Sequence, residues 1–243
     1  MTDILSSFHR DALANLSQDA GGPLLSIDTS TTTASVCMVG WPGFEPVSHI
    51  EFEQGSVPSQ ALAEEIYQAM TKSGISATQI KAIAVGLGPG SFTGLRVGLA
   101  TAKGLSLGAG MPLYGFSSLA LWAASSGKEQ AAVVLDARQK EIYSALYTCS
   151  EAAVCDAVIE DGTRTPAEFK ALMPETNAVL VGDGKEVFGE DNGWMDSVLP
   201  DAAFGLLMLA DKIRAGNGDD LRLLNPNYHR ITEAERQARL RRQ

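Results

Sequence analysis

The sequence predicts an α/β protein built as two lobes, each a mixed sheet flanked by helices. Three observations carry this. A meander of short strands followed by a helix and a further strand occurs twice along the chain, the second time in abbreviated form. The 243 residues suit one large domain or two lobes of about 100 residues each, and the repeated order favours lobes. The composition, 45% hydrophobic and 20% charged, is that of an ordinary globular chain able to bury a core.

In residues 1–22, Ile4, Leu5, Phe8, Ala12, Leu13 and Leu16 recur at helical spacing ahead of the Gly21-Gly22-Pro23 breaker. This segment reads as an amphipathic appendage to the fold, with a partner-binding helix and a start-site artefact as alternatives. Asp3, Arg10 and Asp11 interrupt any secretory apolar core. The first lobe, 23–112, opens with an apolar strand at 24–28. A hydroxyl-rich turn at 29–33 and an alternating strand at 34–39 follow, then a strand at 46–52 reached through Trp41-Pro42-Gly43. A helix at 58–73 carries Leu62, Ile66, Ala69 and Met70 on one face and ends at Gly74. A strand at 80–87 runs into a glycine-rich loop, Ser91 opens a helix to 108, and 112–115 returns to the sheet. The second lobe, 113–222, is predicted as a helix at 117–125, strands at 131–136, 142–147 and 154–160, and a helix at 166–172. A strand at 178–181, the Gly182-Asp183-Gly184 turn and one helix at 202–215 complete it. Residues 223–243 form a tail.

A formal charge of −10 repels a phosphate backbone, so the chain is not expected to grip nucleic acid unaided. Cys37, Cys149 and Cys155 without a CxxC pair argue against a disulfide framework or a structural zinc site and suit a reducing, cytoplasmic setting. No apolar run approaches the roughly 18 residues of a membrane span.

Gly88-Pro89-Gly90-Ser91-Phe92-Thr93-Gly94 permits close backbone approach and presents amides at a helix N-terminus. It reads either as an anion cradle or as a ligand-free strand-to-helix turn. It is not a Walker A loop. Behind it, Gly94, Gly98, Ala102 and Ser106 are spaced four apart, with a parallel row of Ala100, Gly104 and Gly108. Glycine costs up to about 1 kcal/mol per helical position, so such rows imply close backbone packing, on the chain's own sheet or on another subunit. Asp28 with Thr29, Ser30, Thr31, Thr32 and Thr33 reads as a polar hairpin or as a turn that holds metal and phosphate, with the hairpin favoured. Asp136 and Arg138 sit at another hairpin mouth, structural or shaping a partner surface. His9, His49 and His229 have no ligand spacing, and Arg230, Arg236, Arg239, Arg241 and Arg242 read as a solvated helix or a contacting tail.

These residues resemble the TsaB (YeaZ) family. The likeness rests on Ile27-Asp28-Thr29-Ser30, the block from Gly88 through Leu95-Arg96-Val97-Gly98 with Ala102-Lys103-Gly104-Leu105, and Gly115-Phe116-Ser117-Ser118-Leu119. Asp136-Ala137-Arg138 with Glu141-Ile142-Tyr143, and Asn225-Pro226-Asn227-Tyr228 with Arg230, extend it. The resemblance implies a duplicated actin-like (ribonuclease H-like) fold, paralogous to TsaD, which transfers a threonylcarbamoyl group to N6 of adenosine 37 in tRNA. The paralogue's two metal-binding histidines would fall on Ser118 and Trp122. An indole cannot ligate a metal and a lone serine hydroxyl is a poor ligand. The implied role is therefore a non-catalytic, activating subunit that binds TsaD and supports the ATPase TsaE, self-associates in isolation and meets tRNA only within the complex. The resemblance places the partner interface on Leu62, Ile66, Met70, Ser91, Gly94, Leu95, Gly98, Ala102 and Leu105. Asp28, Thr29, Ser30, Gly88, Gly90 and Ser91 become a vestigial phosphate loop, and Arg96, Asp136 and Arg138 structural or partner residues. No cofactor is required of this chain, with ATP or ADP bound weakly or shared at the interface. On this reading Gly98→Leu abolishes modification and leaves the monomer folded. An actin-like kinase, a glycoprotease-type metallopeptidase and a stand-alone RNA-binding module are the competing classes.

Overall fold

The computed structural model describes residues 5–40, 43–44, 48–51, 58–189 and 193–229. Helix α1 (Ser7–Asp19) leads into β1 (Leu24–Asp28), β2 (Thr33–Gly40), β3 (Gly43–Phe44) and β4 (Ser48–Glu51). Next come α2 (Pro58–Ser73), β5 (Ala82–Gly86), α3 (Phe92–Ala109) and β6 (Leu113–Phe116). The second half contains α4 (Ser118–Ser125), β7 (Gln130–Arg138), β8 (Glu141–Cys149), β9 (Cys155–Arg164), α5 (Pro166–Leu172) and β10 (Val179–Val181). It ends with α6 (Lys185–Phe188), α7 (Ala202–Met208) and α8 (Ala210–Ala215).

The first sheet runs β3-β2-β1-β5-β6, with β4 also paired to β2. Strand β1 is antiparallel to β2 and parallel to β5, and β5 is parallel to β6. The second sheet runs β10-β7-β8-β9, with β10 parallel to β7 and the other pairs antiparallel. The order β5-β1-β2-β3 in one sheet is thus repeated as β10-β7-β8-β9 in the other. This is the duplicated actin-like pattern, complete in the first lobe and, among the described residues, lacking a counterpart of β6 in the second. Asp28 and Asp136 occupy equivalent places, each near the C-terminal end of the strand that opens its meander.

Period-2 alternation explains the layering. Leu24, Cys37, Val39, Ala82, Ala84, Tyr114 and Phe116 face a core closed by α1, α7 and α8. Leu25, Ile27, Val36, Met38, Ile83, Val85 and Leu113 face the opposite core, closed by α2 and α3. The second sheet lies between α4 on one face and α5 with α6 on the other.

Four expectations change. Residues 5–22 are not an appendage: Leu13 and Leu16 are 0% exposed, because the apolar stripe of α1 seals one face of the first sheet. The helix expected at 202–215 breaks at Leu209 into α7, which covers β1, β2 and β5, and α8, which packs on α1. It also belongs with the first lobe. Ala202 N–H donates to Ser35 Oγ (2.9 Å), and Gly205 lets Phe116 and Ser26 approach the helix backbone. The return continues through Asp219, whose N–H reaches Leu113 O (2.8 Å), to Asn227, whose N–H reaches Leu87 O (2.7 Å). The second lobe is therefore nested inside the first, and the boundary at 222 does not separate them. Finally, Cys149 and Cys155 form a disulfide, against the expectation of none. Spacing does not show that β8 and β9 bring the two residues directly opposite one another. Of the predicted elements, residues 1–4, 41–42, 45–47, 52 and 230–243 lie outside the described residues.

Candidate functional site: an interlobe knot and an outward helix face

Asp28 closes β1 with a side chain that is 0% exposed. Its Oδ1 accepts from Ser30 N (3.0 Å) and Ser30 Oγ (2.6 Å), and its Oδ2 accepts from Ser118 Oγ (2.6 Å). Burial pushes its pKa up, against the lowering effect of the Ser118 and Ser30 hydrogen bonds. Ser118 also accepts from Gly88 N–H (3.1 Å) and sends its own N–H to Gly88 O (2.9 Å). One serine thus ties the end of β1, the glycine loop and the start of α4 together. A Cβ at Gly86 would overlap the Asp28 carboxylate, so only glycine admits this arrangement.

The preceding residue does the same for the second lobe. Ser117 caps α4 by accepting from Ala120 N–H (3.2 Å) and donates to Asp161 Oδ2 (2.6 Å) on β9. Tyr147 donates its hydroxyl to the other Asp161 oxygen. Burial, reinforced by the Asp161 charge, pushes the Tyr147 pKa up, so its proton stays in place. Adjacent serines therefore hold one carboxylate from each lobe. Sequence reasoning missed Ser117, Tyr147 and Asp161, because nothing in their spacing pairs residues 30 and 44 positions apart.

The glycine loop packs on its own hairpin. Ser91 N–H donates to Ser30 O (2.6 Å), Gly94 N–H to Ser91 Oγ (3.2 Å) and Thr29 Oγ1 to Gly94 O (2.7 Å). Side chains at Gly90, Gly94 and Gly98 would collide with Ser30 and Thr29. The amides at Gly88, Ser91 and Gly94 already have acceptors, so they do not fit a bound phosphate. The metal position implied by the paralogue fares no better: Ser118 Oγ spends its proton on Asp28, and Trp122 is buried with an indole N–H that has no acceptor. These residues do not fit a metal.

At the equivalent hairpin of the second lobe, Arg138 N–H donates to Asp136 Oδ1 (2.6 Å), and the guanidinium lies 3.2 Å from Oδ2. Asp136 N–H reaches Asp183 Oδ1 (2.9 Å), whose pKa is raised first by burial. Arg138, Gln139 and Lys140 all adopt positive φ (67°, 56° and 64°), a costly run for non-glycine residues. Arg96 reaches Tyr228 OH (3.0 Å) and lies 4.0 Å from the centre of the Phe92 ring, fixing the C-terminal segment to α3.

The burial pattern corrects much of the expected partner interface. Leu62, Ile66, Gly94, Leu95, Gly98 and Ala102 are buried in the chain's own fold, and Met70 and Leu105 pack against the same core. The periodic apolar face of α2 and the Gly94–Gly98–Ala102 row serve the first sheet and its hairpin. Gly98→Leu would therefore unfold the monomer rather than spare it. Ser91 is exposed, and the outward row is the other one: Ala100, Gly104 and Gly108, with no atom within 4 Å of a side chain built at either glycine. Leu107 (72% exposed) lies on the same helix, and Tyr67 (58%) is exposed on α2. The C-terminal arginines lie outside the described residues.

The family model described as "TsaD: tRNA N6-adenosine threonylcarbamoyltransferase" matches residues 58–181. A tRNA threonylcarbamoyladenosine biosynthesis protein TsaB from Escherichia coli K12 is 32% identical over 199 residues, covering 77% of this chain and 85% of that protein. The corresponding TsaB of Haemophilus influenzae is 35% identical over 124 residues, 49% of this chain and 51% of that one. The solved structure of YeaZ from Pseudomonas aeruginosa has the same fold, with a TM-score of 0.73 at 24% identity over 85% of this chain and 99% of that one. The chain belongs to the TsaB (YeaZ) family.

Proposed function

We propose that this chain acts in the formation of threonylcarbamoyladenosine at position 37 of tRNA as a non-catalytic subunit that binds TsaD and supports TsaE in the cytoplasm. The observation that carries this reading is the Ser118 knot. The residue standing at the paralogue's metal position spends both its hydrogen-bonding roles inside the fold, on Asp28 and Gly88. What remains for function is surface. The outward faces of α2 and α3 combine small residues, at Ala63, Ala100, Gly104 and Gly108, with exposed Tyr67 and Leu107. Small residues let a second helix pair approach closely, and large apolar neighbours supply burial. TsaD, as a paralogue of related fold, is the occupant, and self-association of the isolated chain would use the same face. The −10 charge leaves tRNA to be held by the complex. Any ATP or ADP would be shared at the interface, since the amides of Gly88, Ser91 and Gly94 are engaged internally.

The test is co-purification with the organism's own TsaD and TsaE and a modification assay in which each subunit is omitted in turn. Leu107→Arg should leave the fold intact and weaken TsaD binding by at least about tenfold, because it places an unpaired charge in the seam. Full modification without this chain, or unchanged TsaD binding by Leu107→Arg, would sink the reading.

A further inference from the structure

The three cysteines occupy different worlds. Cys37 is 0% exposed beneath α1 and α7, where burial, and then the charge of Asp201, holds its thiol protonated. Cys149 and Cys155 instead face each other across the last rung of the β8–β9 ladder and are covalently joined. Cys149 also lines a cavity of about 580 Å³, open to solvent, with His9, Lys128, Ser150 and Val154 among its walls. Cys149 is itself only 7% exposed and Cys155 is half-buried, so any attack on the pair must come through this opening.

The turn that the disulfide closes is also the seat of α1. Ser150 N–H donates to Val154 O (2.8 Å), and Val154 N–H returns to Ser150 Oγ (3.2 Å). Ala153 is held at φ 62°, an unfavourable angle for alanine, and its methyl is buried with Leu5, Leu13, Leu16 and Phe204. Glu151 O lies 2.8 Å from His9 Nε2, while His9 Nδ1 receives Ser6 N–H at 3.2 Å. An acceptor role at Nδ1 makes Nε2 the protonated nitrogen, so the ring bridges the start of α1 to the turn. The shape of the turn and the docking of α1 depend on one another.

We propose that Cys149–Cys155 is a reversible redox site, opened by a dithiol, and that its opening loosens the docking of α1 onto the second lobe. Balance is simple. A dithiol thiolate attacks one Sγ, forms a mixed disulfide and displaces the other Sγ as a thiolate. The dithiol's second sulfur then displaces the first cysteine. Two electrons and two protons pass to the protein, which gains two thiols, and the dithiol leaves as its disulfide. In compartments where stable disulfides are rare, those that form are usually transient or sensing. Once the cross-link is gone, only hydrogen bonds and the Ala153 contact hold the strained turn, and the His9 bridge loses its fixed anchor.

The full chain is denatured after acid trapping and labelled with a bulky maleimide, before and after dithiothreitol and again after re-oxidation with oxidised glutathione. One label, on Cys37, is expected in the oxidised form, three after reduction and one again after re-oxidation. Amide exchange in residues 5–12 and 150–154 should accelerate about tenfold on reduction, with α2 and α3 unchanged. A Cys149→Ser/Cys155→Ser double variant, folded by circular dichroism, should show the fast exchange in either condition. Three labels before any reductant, or identical α1 exchange in both redox states, would overturn the proposal.

Discussion

Gly98 and Gly104 lie six residues apart on one helix and should respond to alanine with opposite signs. At Gly98 the new methyl would overlap Thr29 Oγ1 and sit 3.4 Å from two Thr29 carbons. Thr29 is buried and its hydroxyl is committed to Gly94 O, so it cannot swing aside without breaking that bond. The lost hydrogen bond costs about 1 kcal/mol and the overpacking about 1–3 kcal/mol. The better helix propensity of alanine returns about 1 kcal/mol. The net loss is about 2 kcal/mol, a fall in Tm of about 4–8 °C for a chain of this size. At Gly104 the same methyl meets nothing within 4 Å, so only the propensity gain remains and Tm should rise by about 2–4 °C. Calorimetry or urea unfolding of the isolated variants decides it. A neutral Gly98→Ala, or a destabilised Gly104→Ala, would refute the assignment of the inner row to the fold and the outer row to the surface.

Two further outcomes follow from the knot. Ser118→Ala removes a donor from a fully buried carboxyl group and an acceptor from Gly88 N–H, and should lower stability by about 2–3 kcal/mol in urea unfolding, whereas Ser118→Thr should retain part of it. Because burial raises the Asp28 pKa above 3.8, the folded chain holds that proton more tightly than the unfolded chain does; the resulting stability is complete below pH 3.8 and is lost as pH rises through the folded-state value. Asp28→Asn should therefore flatten the pH dependence of unfolding relative to wild type in that window, and parallel profiles would show that Asp28 does not carry it.

Much of the architecture was legible because it is local and periodic. The helix at 58–73 was placed to the residue, since proline, an apolar stripe at Leu62 and Ile66, and Gly74 mark its start, face and end. The repeated order of elements was legible in two meanders of similar rhythm, but the strand order within each sheet was not. The candidate site was legible only in part. The glycine row after Ser91 does report close backbone packing, yet spacing does not say whose backbone, and Thr29 is 65 residues from Gly94. The Ser117–Asp161 pairing and the Cys149–Cys155 bond depend on strand register, which bulges in β8–β9 shift after Ser144 and again after Leu146. The return of α7 to the first sheet failed for the same reason. Its six consecutive buried residues, from Ala202 to Leu207, show an apolar segment without naming the sheet it covers.

That return has a consequence for how the polypeptide leaves the ribosome. Strands β1, β2, β5 and β6 emerge early, but the face bearing Ala84 and Phe116 stays without its α7 cover until residues 202–208 have been made. The nested lobe, from β7 to α6, has its own two-sided core and can close on itself in the interval. Synthesis thus runs as a bracket opened by β1 and shut by α7, with the inner unit consolidating first. Slow translation after α6 would lengthen the time that an apolar sheet face stands open, the interval in which chaperone capture or aggregation competes with completion of the fold.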